Sequence, residues 1–266
     1  MSEVFTRYRE AQQDIARGVL DGLTNTMGGL DFTRIDASAP AWVAASTAVV
    51  QRGYQEAVTA GSDFLTDFAN AGAIPKRFQL KPATLDSKLV VTSLVTLGLY
   101  RAKHLMAQGY DIDRAIREVF AAVSGAGMRH AMAGMRETVT NTSKTYTRVR
   151  RIAKEGCCGF CAMLATRDYW IPSDQEPATS AAAVVVGRNG RTRGPQSISA
   201  QYHDNCKCEV VPVSDELQPE GYDERLEKFE DAYYEARRRA EDREGGAAVG
   251  KNVIREMDKL HREGWF

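Results

Sequence analysis

The residues best suited to chemistry in this chain are its five cysteines, all of which fall between Cys157 and Cys208. Cys158 and Cys161 form a CxxC pair, a spacing that lets the chain turn two thiolates toward one tetrahedral ion. Cys206 and Cys208 are two positions apart, so an extended strand puts them on one side and a tight turn converges them. His203 stands three residues before Cys206. A structural zinc ion takes four ligands. The preferred set is Cys158, Cys161, Cys206 and Cys208, with His203 as the substitute for one of the last two. Cys157 is expected to face away and be left over. Clamping the long loop between the two halves would offset the entropy of closing it. The plain alternative is a group of reduced, buried thiols. A thioredoxin-like redox pair needs a strand before the motif, and KEGCCGFC gives little sign of one.

Other chemistry is less specific. An enzymatic site would have to use His203 with Asp204 or Asp168, and neighbouring side chains need not point at one another. HExxH, GxSxG, P-loop and dinucleotide fingerprints are absent from the sequence. GRNGRTRG reads as a hairpin turn rather than a phosphate loop, because neither a lysine-serine pair nor a helix follows it. Between Arg136 and Lys154 six basic residues face one acidic residue. Lys144, Arg148, Arg150, Arg151 and Lys154 could therefore approach a nucleic-acid backbone and release its counterions. A solvated basic face that balances the acidic tail is the simpler account.

The elements that must hold these residues are mostly helical. A first helix runs over residues 5–22 and closes at Gly28 and Gly29. Ser38 and Pro40 open a long second one, with Val50, Tyr54, Val58, Leu65 and Phe68 on one side. Pro75 and Pro82 make residues 72–82 a connector. A helix follows from about Asp86 to Gln108, ended by Gly109, and another from Asp113 to about Val123. Glycines 125, 127 and 134 weaken the next part, where Met128, Met132 and Met135 read as core filling. Helix propensity falls over the threonine-rich residues 138–147. Val184 to Val186 forms a strand leading to an Asn189-Gly190 turn, and EVVPV supplies a short edge strand up to Pro212. In the tail, Tyr222, Leu226, Phe229 and Tyr233 lie on one helical stripe, and Val253, Met257 and Leu260 outline a final helix. That tail can pack on its own body or on a neighbour.

Charge and hydropathy narrow the setting. Thirty-five basic and 35 acidic residues give zero formal charge, so the molecule as a whole is no obvious polyanion binder. The charged N-terminus is unlike a secretory signal, and the most apolar run, Leu89 to Tyr100, is too short to span a bilayer. A soluble protein made in cytoplasm is the expectation.

Two blocks, CGFCAMLATRDY at residues 158–169 and YHDNCKCEVVPV at residues 202–213, together resemble the signature of the Mu F-like minor head proteins of tailed bacteriophages. The helical half resembles the subgroup from phages of actinobacteria. The resemblance implies a minor capsid protein in few copies, associated with the portal or inner capsid surface. Its role would lie in head assembly, DNA packaging or genome delivery. The family's cysteine and histidine positions fall on Cys158, Cys161, His203, Cys206 and Cys208. Asp168 stands where the family carries glycine, and Cys157 is extra. Some relatives are fused to protease domains; this chain shows no separate catalytic domain.

The expected architecture is thus mainly α: a helical platform over 1–155, a zinc- or cysteine-stabilised β region with a hairpin over 156–213, and a C-terminal helical arm over 214–266. The expected function is structural, in the virion, with the portal or major capsid protein as partner, non-specific contact with packaged DNA and no membrane. A capsid maturation protease or other metal-dependent hydrolase is one rival, and a nucleic-acid-binding module the other.

Overall fold

The structure is a computed structural model that describes residues 3–142, 148–154, 156–170, 184–187, 192–195, 208–215, 217–245 and 250–266. Its fold is mainly α-helical, with a small open β-sheet and C-terminal helices. Helix α1 (Glu3–Met27) buries Phe5, Tyr8, Gln12, Ile15, Val19 and Leu23, a stripe at steps of three and four. Helix α2 (Ile35–Asn70) starts before the predicted Ser38-Pro40 opening. The turn in front of it is held by Asp31, whose carboxylate accepts from the Thr33 amide at 2.9 Å, the Thr33 hydroxyl at 2.6 Å and Arg34 Nε at 3.0 Å. These bonds hold the Asp31 pKa down to about 2. Ser38 Oγ in turn accepts from the Asp31 amide at 2.9 Å.

The predicted helix 86–108 is one continuous helical segment with three parts. Asp86 caps α3 (Ser87–Leu94), which passes through a π-helical turn (Val95–Tyr100) into α4 (Arg101–Ala107). The local widening coincides with Gly98, where an added Cβ would lie 2.3 Å from the Trp42 ring.

Helix α5 (Ile112–Asn141) corrects the expectation of a break after Val123. Its glycines cost helix propensity, yet they let the backbones of α2 and α5 meet. A Cβ on Gly134 would sit 2.5 Å from the Tyr54 carbonyl oxygen, and one on Gly61 of α2 would sit 3.0 Å from the Met135 carbonyl oxygen. Close packing of two long helices outweighs a local preference of about 1 kcal/mol per glycine. Met132 and Met135 are buried in the core as expected. The threonines that end α5 bond back to its carbonyls, Thr140 to Arg136 and Thr142 to Thr138, each at 2.8 Å. Thr138 and Thr142 also accept from the Ala83 and Lys81 amides at 3.1 Å, which fastens the proline-rich connector to the platform.

The sheet has the order β4-β3-β2-β1-β5 and every pairing is antiparallel. Its strands are β1 (Arg148–Ile152), β2 (Arg167–Trp170), β3 (Val184–Gly187), β4 (Thr192–Pro195) and β5 (Glu209–Pro212). The predicted strand at Val184 is present and pairs with β4; its Asn189-Gly190 turn lies outside the described residues. The EVVPV strand takes an edge, where Pro212 costs no interior ladder bond. Between β1 and β2 lies α6 (Gly159–Ala165).

Helices α7 (Tyr222–Glu244) and α8 (Gly250–Arg262) pack on each other and on α6, so the tail folds back on its own chain. The forecast stripe of Tyr222, Leu226, Phe229 and Tyr233 is buried, as are Val253, Met257 and Leu260. One contiguous cluster of buried side chains runs from Phe5 of α1 through Val149, Cys161 and Val210 to Leu260 of α8. Among the described residues no helix is long and apolar enough to cross a membrane.

Gly134→Ala should lower unfolding stability by about 1–3 kcal/mol, because its methyl group meets backbone that cannot rotate away. Gly18→Ala, with nothing within 4 Å of the added carbon, should be neutral or slightly stabilising in the same chemical denaturation series.

Candidate functional site

The cysteine block is assembled by a strand, a tight turn and a short helix. β1 ends at Ile152, the Cys157 amide donates to the Lys154 carbonyl at 3.1 Å, and Gly156 takes φ of 69°, a left-handed conformation that suits glycine. Cys158 then caps α6 and Cys161 sits in its first turn. A strand does precede the CxxC pair, which the sequence did not disclose. Cys161 and Cys208 are each 2% exposed and belong to the hydrophobic core; Cys157 and Cys158 are half-buried against it. Cys157, left out of the expected ligand set, packs half-buried against the core.

The expected structural zinc ion is corrected. Among the described residues no group of three or more His, Cys, Asp or Glu side chains could hold a metal ion. Cys161 and Cys208 are surrounded by apolar neighbours such as Ala162, Met163 and Val210 and serve as core residues there, the setting in which a thiol behaves as a small hydrophobe. His203 and Cys206, from the expected ligand set, lie outside the described residues, as does Lys144 of the basic stretch.

The rest of that basic stretch is built into the fold. Arg151 is 1% exposed, in register with Val210 on β5. Arg150 lies over the Tyr222 ring at 5.2 Å, and Arg148 and Lys154 are half-buried. The alternation of arginine with Val149 and Ile152 was a strand signal masked by three arginines in five residues.

Glu209, the residue after Cys208, was not singled out from the sequence. Its side chain is fully buried and accepts from Arg9 Nε of α1 at 3.1 Å. Burial pushes its pKa up, opposed by the positive charges of Arg9, Lys154 and Arg225. One carboxylate thus collects cations from α1, the turn after β1 and α7. The only hint in the sequence was an acidic residue at the head of an apolar strand. A second buried carboxylate, Glu137, accepts from the Tyr54 hydroxyl at 2.9 Å within the platform, and burial raises its pKa as well.

The motif helix is pinned from the far end of the chain. The Gly159 amide donates to Asp258 Oδ1 of α8 at 2.9 Å, and a Cβ on Gly159 would fall 2.6 Å from the Asp258 amide nitrogen and 2.7 Å from Met257 Cβ. Gly159 and every residue from Cys161 to Ala165 are buried. Outside this contact, α8 and the Gly156–Cys158 turn flank an open trough of about 610 Å³. Another, of about 740 Å³, lies between α1 and α2, with Asp14, Glu56 and Asp63 on its rim.

Residues 2–236 match the family described as VG15 protein, and the chain belongs to that family. No curated protein and no solved structure matches it.

Two outcomes test this geometry. Gly159→Ala should cost about 1–3 kcal/mol, and hydrogen exchange should speed up in α8 while the α1–α2 pair stays protected. Arg9→Ala should cost about 3–5 kcal/mol at pH 7, since it strips a bonded partner from a buried charge. Because the folded pKa of Glu209 is raised, stability linked to its protonated form is present below the ordinary carboxylate range and is lost as pH rises through the raised value. The deficit of Arg9→Ala should therefore shrink between pH 7.5 and pH 5 in urea titrations; a deficit that ignores pH would assign the loss to something other than Glu209.

Proposed function

We propose that this VG15-family chain is a structural minor component of a tailed-phage head, bound to the portal or the inner capsid surface and assembled in the host cytoplasm. The observation that carries the reading is the use to which the signature block is put. CGFCAMLA, the start of the first resembling block, forms the cap and body of α6, and its buried residues join the sheet to the C-terminal helices. Cys161, buried in α6, stabilises that joint as a core residue. The partners under this reading are the portal and major capsid proteins, with packaged DNA close by.

Co-expression with the portal and major capsid proteins of the same phage tests the proposal. The chain should co-sediment with portal rings or procapsids at a fixed, low copy number, and Gly159→Ala should weaken that incorporation. A chain that stays in the supernatant with both partners present, and is missing from purified particles, would overturn it. Cleavage of the capsid protein by the purified chain would move it to the hydrolases instead.

A further inference from the structure

Most arginines of the C-terminal helices are neutralised in place. On α7, Arg237 pairs with Glu241 at 2.7 Å, Arg238 with Glu235 at 2.8 Å and Arg239 with Glu263 at 2.9 Å, and Arg243 pairs with the buried Glu256 of α8. Lys259 shares Glu256 at 2.9 Å. Lys251, Arg255 and Arg262 differ: all three are exposed, and among the described residues none has a carboxylate within ion-pair distance. Their spacing of four and seven residues aligns them on one face of α8, over about 16 Å at about 1.5 Å per residue. The acidic residue on that face, Asp258, accepts from the Gly159 amide through one oxygen and keeps its negative charge beside the trough, which leaves a net excess of two positive charges on the face.

We infer that this face of α8, with the trough beside Cys158, binds the phosphodiester backbone of a nucleic acid. The trough is lined by Lys251, Arg255 and Arg262 together with Asp258 and His261, so the three cations border one concavity. Lys251 stands in the first turn of α8, which carries no acidic residue; there the helix dipole disfavours a cation, and a bound anion would satisfy both the lysine and the dipole. Arg262, in the last turn, is already complemented by the dipole, which leaves the unexplained charge at Lys251 and Arg255. These two lie about 6 Å apart along the axis, and the stripe covers the rise of about five nucleotides of one strand. A lipid surface fits less well, because among the described residues the apolar lining of the trough is limited to Ile254 and Cys158, both half-buried. This site is distinct from the basic stretch around β1, where Arg151 is buried and Arg148, Arg150 and Lys154 are half-buried, and it does not rest on the head-protein reading.

The test uses the full chain and fluorescein-labelled 20-nucleotide oligomers, single- and double-stranded, followed by anisotropy over a salt series. The wild type should bind either, with affinity falling as salt rises. Lys251→Gln, Arg255→Gln and Arg262→Gln combined should weaken binding at least about tenfold and reduce the salt slope by about 2–3, the loss of three phosphate contacts. Lys76→Gln, Arg77→Gln and Lys88→Gln combined, an equal charge change at exposed positions elsewhere, should leave both nearly unchanged. Matching circular dichroism melts keep the comparison free of unfolding. Equal losses in the two triple variants, or wild-type binding by the α8 variant, would overturn the inference. So would equal binding to polyglutamate, or preference for phosphatidylserine vesicles, which would make the face a site for acidic peptides or for a membrane.

Discussion

A carboxylate taken wholly out of water is the constraint around which this chain is organised. Glu209 stands at the start of the edge strand β5, and its charge is tolerable there because Arg9 bonds it and Lys154 and Arg225 approach it. The three cations come from the first helix, from the turn that leads into the cysteine block and from the C-terminal arm. None could leave its position without raising the cost of the buried charge. Removing the same acid together with its partner and substituting apolar groups would not carry that penalty, so the node acts by specifying which segments meet rather than by adding a large net stability.

Around that node the apolar packing follows patterns that were legible residue by residue. The stripes of α7 and α8 were readable because each keeps steps of three and four from turn to turn. The strand at Val184 and the edge strand at Glu209 were readable from β-branched runs and from Pro212. Helix α5 was not, since Gly125, Gly127 and Gly134 look like interruptions until α1 and α2 are laid against Gly127 and α2 against Gly134. The π-helical turn at Val95–Tyr100 was hidden for a similar reason: Gly98 meets Trp42 from a different helix. Local composition reports propensity, whereas these elements are decided by what lies across the interface.

The cysteine block was legible as a location and not as a chemistry. Its clustering marked the joint between helical body and sheet, yet the CxxC spacing that suggests a zinc site also fits the first turn of a short helix, with Cys161 pointed into the core. β1 was obscured by its arginines, one of which is buried outright. Glu209 and Asp258 gave no signal of their own, because the partners that define them, Arg9 and Gly159, are respectively 200 and 99 positions away in the chain. The basic trough is likewise invisible in a linear reading, which places Cys158 and Lys251 in separate segments.

The pairing of β1 with β5 has a consequence for synthesis. Val149 to Ile152 must wait for residues 209–212 before that side of the sheet can close, and Arg9 waits longer still for its acid. On a ribosome the helices α1 to α5 emerge first and can settle against one another through contacts already present. The sheet's final edge and the arm come last, as long-range closures that are slow for entropic reasons. Until then the β5-facing edge of β1, from Val149 to Ile152, stays unpaired. The nascent chain therefore passes through a stage in which a finished helical body carries an unpaired strand, and that interval is when it is most exposed to aggregation or to capture by a chaperone.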